Sequence, residues 1–326
     1  MIPAGRITSI WRYPVKSMLG ERLDRAEIRE LGLHADRTWA VRDVELDATT
    51  SAKRLPGLLW LNARYTQAPP PDAGPGHAPE VVITFPDGTE VSSSDAVVHQ
   101  ALSRYLDHEV ELRPLPPIDR RDEYRTPRAT KTDLRTIFGL EDGEPLPDLS
   151  MFPVRKLAQI SRYATPVGSY VDAYPLHIVT EQSLAAMAAL APDSDFDVRR
   201  FRPTMVVDAP GASPHPEWDW CGGTLHAPDA ELQPLIPTIR CVMPSHEQPE
   251  LKQDREITRA IAAHSRRCLG AYGTITRAGR IAEGDVLQLD PPNRSTLGAT
   301  AGSGAAKVKW AVMRAVSAAM PTGKRS

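Results

Sequence analysis

Prolines and glycines interrupt this chain so often that long helices have little room. Of its 326 residues, 31 are Pro and 21 are Gly. The apolar runs between them are short, rich in β-branched side chains and bounded by turn formers, which is how strands read. Met205-Val206-Val207 is the plainest case, and Glu231 to Ile236 a weaker one. Further strands are expected near residues 5–13, 26–31, 39–42, 81–85, 110–115 and 174–180, with Asp87-Gly88 as a hairpin turn. Helices are fewer. Val97, Val98, Leu102 and Leu106 predict one over 94–106 behind a Ser or Asp cap. Thr180 precedes a helix-forming run at 183–190 as its N-cap, and Ile257, Ala260, Ile261 and His264 share a helical face. The expected fold is mostly β with some α.

A chain of this length buries a sizeable core and has room for two domains. With 41% hydrophobic and 25% charged residues it reads as soluble and globular. A formal net charge of -2 argues against nucleic acid as a partner of the whole surface. The start of the chain lacks the apolar core of a signal peptide, and no run approaches transmembrane length. Three widely spaced cysteines, Cys221, Cys241 and Cys268, form neither a disulfide framework nor a CxxC metal signature. A cytoplasmic protein is expected.

Cys241 lies just past a strand, beside Arg240, in the kind of loop where sites form. A neighbouring cation favours the thiolate, a soft ligand and nucleophile. A buried, unreactive cysteine is the other reading. Cys221 and Cys268 are expected to pack. Lys16, Ser17, Arg37, Thr49, Thr50 and Ser51 offer the donors an anion takes, or are ordinary surface groups. Thr180 opens a helix N-terminus, which favours anions, or only caps it. Arg202, directly before Pro203, binds a ligand or pairs with Asp197 or Asp208.

Several ordered motifs now bear on these choices. IWRYPVKSMLGERLD, GLHADRTWAV, FRPT with a Trp some fifteen residues on, PTIRCVMP and LGAYGTITRAGRIAEGDVLQL resemble the MOSC domain and the β-barrel domain that precedes it. MOSC names the C-terminal domain of molybdenum cofactor sulfurase, and the likeness extends to the reductases of amidoximes and other N-hydroxy compounds. It covers about residues 3 to 290. It implies an N-terminal β-barrel domain at 1–115, a linker or crossover at 116–150, a MOSC β-barrel domain at 151–290 and a basic tail at 291–326.

The resemblance also implies the molybdenum cofactor, Mo-molybdopterin. Cys241 would be the catalytic residue and metal ligand, with Lys16, Ser17, Arg37, Thr180, Arg202 and Thr204 binding the cofactor. Thr204 stands where relatives often carry Asn, and Val242 to His246 lack a Thr-Thr pair usual after the cysteine. The implied reaction reduces a small N-hydroxylated substrate. Neither an iron–sulfur cysteine cluster nor a dinucleotide fingerprint appears, so electrons would come from a separate ferredoxin, flavoprotein or cytochrome. A sulfur carrier or non-redox cofactor-binding protein acting through Cys241 is a second reading, and an interaction protein with an empty site a third. The tail carries bases and no acid, with Val308, Val312 and Val316 at helical spacing. Such a segment, 303–325, could lie on an anionic membrane surface, dock on a partner or on the body of the chain, or be disordered.

Overall fold

The computed structural model describes residues 1–127 and 129–292. The tail that could touch a membrane or partner lies outside the described residues. No helix among the described residues is long and apolar enough to cross a membrane.

Seven strands close into a barrel. Around it run Met205–Asp208, Leu176–Thr180, Cys268–Arg277, Glu231–Ile239, Thr224–His226, Val286–Asp290 and Ile2–Arg12, which pairs back onto Met205–Asp208. One contact in this ring is parallel, Leu176–Thr180 beside Met205–Asp208, with Ile178 opposite Met205 and Thr180 opposite Val207. Parallel neighbours need a crossover, and the helix Glu181–Leu190 provides it. Inward residues such as Ile7, Ile10, Ile178, Met205, Leu225, Leu232 and Leu287 make the barrel core. Each stabilises the fold by roughly 1.5–3 kcal/mol on burial.

The chain's first strand thus completes the barrel of its second half. Arg25–Arg29 likewise pairs with Gly279–Ala282. Both pairings cross the boundary expected at 115. What remains of the first half forms a second lobe from two three-stranded sheets and the helix Val98–Leu106. Its core holds Val15, Met18, Leu58, Leu59, Ile83, Leu102 and Leu112, and Met243 from the second half is packed into it with Cys241 alongside. The loop bearing the candidate cysteine is therefore clamped between the lobes.

One local expectation is corrected. The helix expected from residue 94 begins at Val98 with no side-chain cap, because Asp95 receives the Val97 N–H in the preceding turn instead. The region 116–150, expected as a linker or crossover, carries a helix. Thr130 and Asp133 form a capping box that starts the helix Lys131–Phe138, and Phe138 is buried. A further helix, Val154–Arg162, follows. The chain turns at Gly284-Asp285, with Gly284 at φ +90° and the Asp285 carboxylate accepting the Ala282 N–H.

Candidate functional site

Where the strand Ile2–Arg12 ends, the chain turns into the seam between barrel and second lobe. Lys16 and Ser17 sit there, both buried. The Lys16 ammonium donates to Asp172 at 2.5 Å and to the Tyr170 carbonyl at 2.9 Å. Lys53 reaches the other oxygen of Asp172 at 2.9 Å. Ser17 Oγ accepts the Ala52 N–H. Arg202 donates to the Met18 carbonyl at 2.6 Å, and its guanidinium lies 4.1 Å from the Tyr13 ring centroid. Arg37 approaches the same ring at 5.4 Å. Five of the predicted residues, Lys16, Ser17, Arg37, Arg202 and Cys241, are thus brought to one seam.

Three of the five hold an unusual backbone. Ser17, Arg37 and Arg202 have φ of +70°, +52° and +52°. Left-handed backbone costs a non-glycine residue about 1 kcal/mol or more, and such strain gathers at functional sites. Local bonds over-determine it here. The Arg37 N–H donates to the Tyr13 carbonyl at 2.7 Å, and the Tyr13 N–H donates to Asp36 at 2.8 Å.

The seam is cationic. Lys16, Arg37, Lys53, Arg202 and Arg240 face two carboxylates, Asp36 and Asp172. Burial pushes Asp172 up, but Lys16, Lys53 and Arg37 outweigh it and hold its carboxyl well below the usual range. Burial pulls Lys16 down to about 8 despite Asp172. It also lowers Arg202 and Arg240. Burial pushes the Tyr13 phenol up, so this ring stays neutral and cancels no charge. Arg202 Nη2, Arg240 Nε and the Thr50 hydroxyl are buried without a hydrogen-bond partner, and Arg37 Nε has only the Asp36 carboxylate at 3.5 Å. Each such orphan costs about 1–3 kcal/mol unless a ligand meets it. An anion would satisfy several at once.

Two predicted residues do other work. Thr180 is fully buried, caps the helix Glu181–Leu190 through the Ser183 N–H and donates to Glu217 at 2.6 Å. It belongs to a cluster at the far end of its strand rather than to the cationic seam. Thr204 receives the His177 N–H on its hydroxyl at 3.1 Å, which ties two barrel strands together. Ser245 donates to the Val242 carbonyl. Cys268 is buried and Cys221 half-buried, and burial pushes their thiols up to about 11 and about 12. Cys241 is partly exposed.

Four residues of the seam were not singled out from sequence: Lys53, Asp172, His177 and Tyr272. Lys53 ends the polar turn at 49–53, and Asp172 precedes a strand, but neither position announces that the two meet. Tyr272 lies in the field of Asp172, Arg240, Lys53 and Cys241, and burial pushes its phenol up to about 12.

Two domain descriptions match this chain. The MOSC N-terminal beta barrel domain covers residues 4–103, and the MOSC domain covers residues 166–288. The chain is a MOSC domain protein. Between them the two matches hold Lys16, Ser17, Arg37, Lys53, Asp172, Arg202, Arg240 and Cys241. The MOSC domain is associated with molybdenum cofactor binding, and its members are often enzymes that carry this group. A search of curated proteins finds no match. Among solved structures, the YuaD protein of Bacillus subtilis is similar at 11% identity and a TM-score of 0.41, over 87% of this MOSC protein and 94% of its own chain. YiiM from Geobacillus stearothermophilus is 20% identical with a TM-score of 0.27, over 36% of this chain and 54% of its own.

Proposed function

We propose that this MOSC protein binds the molybdenum cofactor in the seam and reduces small N-hydroxylated compounds. The observation that carries the reading is a buried set of unsatisfied cationic donors beside a partly exposed cysteine. The pterin cofactor ends in a phosphate, and guanidinium and ammonium groups are the donors phosphate takes. Lys16, Arg37, Arg202 and Arg240 would hold that phosphate and the pterin edge, with Thr50 adding a hydroxyl. Cys241 would give the metal its protein thiolate. The residues present fit the group.

When bound, the cofactor supplies two-electron oxygen-atom transfer. The chain's own side chains do the rest. Asp172 keeps both lysines charged and in place. Lys53, which burial lowers but Asp172 and Cys241 raise further, remains an ammonium at the mouth of the seam. Tyr272 keeps its phenol proton at neutral pH, so both groups can hold a proton close to the cysteine. Phe152, Tyr174, Ile236 and Ile239 pack around Tyr272 and keep water from that side. In the overall reaction the N–O bond breaks, two electrons and two protons enter, and the oxygen leaves as water. The electrons would come from a separate donor protein, a ferredoxin, flavoprotein or cytochrome.

A reduced-dye assay tests this. Cofactor-loaded protein should oxidise the dye only when an amidoxime or hydroxamate is added, and Cys241→Ala should lose at least about a hundredfold of that rate. Dye oxidation that ignores the N-hydroxy compound would contradict a reductase and favour a non-redox carrier role for Cys241.

A further inference from the structure

His177 lies at the inner wall of the seam, 7% exposed, and the reading above gives its ring no part. Its Nδ1 is 3.3 Å from the carbonyl oxygen of Arg202, and its Nε2 is 3.3 Å from Nη2 of Arg240. A carbonyl only accepts and a guanidinium only donates. With the proton on Nδ1 toward Arg202, Nε2 accepts from Arg240, and the Leu269 backbone is a further hydrogen-bond partner of the ring. Burial, reinforced by Arg240, holds the imidazole well below its ordinary pKa, so the neutral tautomer persists.

The ring has one seat. The His177 N–H donates to the Thr204 hydroxyl, and its carbonyl accepts the Thr204 N–H at 2.8 Å. The Tyr272 ring stands 5.4 Å away. Gly270, at φ +88°, leaves the space on the remaining side: a Cβ there would come within 2.6 Å of Nε2.

Arg240 is held without being neutralised. Its Nη2 donates to His177 and, at 3.2 Å, to the Phe201 carbonyl, and the guanidinium lies 5.1 Å from the Phe201 ring. No carboxylate hydrogen-bonds it among the described residues. Its Nε has no partner at all. Two neutral acceptors thus fix the group and leave its charge for something else.

We infer that His177 is the positioning residue of the anion site, clamping the left-handed turn at Arg202 by its carbonyl and aiming the Arg240 guanidinium at a phosphate. The inference rests on the seam being the cofactor's phosphate site. It also gives Thr204 a purpose beyond ligand contact, since its hydroxyl seats the histidine backbone.

Inorganic phosphate binding, followed by calorimetry on the full chain, reads this out beside molybdenum content. His177→Leu should weaken phosphate binding about tenfold, the loss of one hydrogen bond to a charged group. His177→Gln, whose amide oxygen replaces the Nε2 acceptor, should bind within about threefold of the native protein. Arg240→Lys should lose about tenfold, because an ammonium cannot span both acceptors, and it decides the matter if the leucine variant does not fold. Native-like binding in His177→Leu or in Arg240→Lys overturns the inference, and so does a Gln variant as weak as Leu. Native protein that binds neither phosphate nor cofactor overturns the underlying reading instead.

Discussion

Lys16 and Asp172 stand 156 positions apart in the chain and meet at 2.5 Å across the seam. The same carboxylate takes Lys53 on its other oxygen. One acid of the second half thus tethers two lysines of the first.

Asp172→Asn removes that charge and leaves two ammonium groups facing each other and Arg37. It should lower the stability of the ligand-free protein by about 1–3 kcal/mol, less than a fully buried pair would lose because a third of the Asp172 side chain is exposed. Chemical denaturation measures the difference. An unchanged midpoint would show that Asp172 does not hold the seam together.

Lys16, held at about 8, predicts a pH dependence of anion binding. An anion binds the ammonium form and pulls the pKa up, so affinity is full below that value and falls as pH rises through it. Sulfate, which does not titrate in this range, should bind more weakly above about pH 8. Lys16→Met should bind sulfate more weakly throughout and lose that inflection. The same inflection in the variant would assign it to another group.

Thr180, Ser183 and the Gly270 N–H surround Glu217, a fully buried acid with no ion-pair partner among the described residues. Burial pushes its carboxyl up, against these hydrogen bonds. Below the ordinary glutamate pKa both folded and unfolded states are protonated. As pH rises through the window up to the folded pKa, the unfolded state ionises first, and stability falls. Glu217→Gln lacks this term. Its stability relative to the native chain should therefore rise as pH climbs above the ordinary glutamate range, as thermal melts from acid to neutral pH would show. A constant difference would mean that the carboxyl ionises in the fold as easily as in water.

Much of the fold was legible where local chemistry is self-sufficient. The run Met205-Val206-Val207, the Asp87-Gly88 hairpin and the Thr180 cap each carry their conformation within a few residues. The partner of Ile2–Arg12 does not: that strand closes a barrel whose other strands lie more than 160 positions away, and nothing in its own residues says so. The helix Lys131–Phe138 was hidden for a different reason. Its capping box was present as Thr130 and Asp133, but the surrounding charge reads as a solvated linker. At the site, single residues with family-like neighbours were visible, namely Lys16, Ser17, Arg37, Arg202 and Cys241. Lys53, Asp172 and His177 were not, because their meaning arises only when distant segments meet. Thr180 shows the converse. Its position at a helix N-terminus suggested an anion, and the fold places the carboxyl group of Glu217 against it instead.

The most direct test of the account is molybdenum per chain after expression in a host that makes the cofactor. Native protein should carry close to one molybdenum, Arg202→Ala much less, and Cys241→Ala should lose the metal or show a changed metal spectrum. A well-folded native protein from such a host with no molybdenum would contradict the central claim.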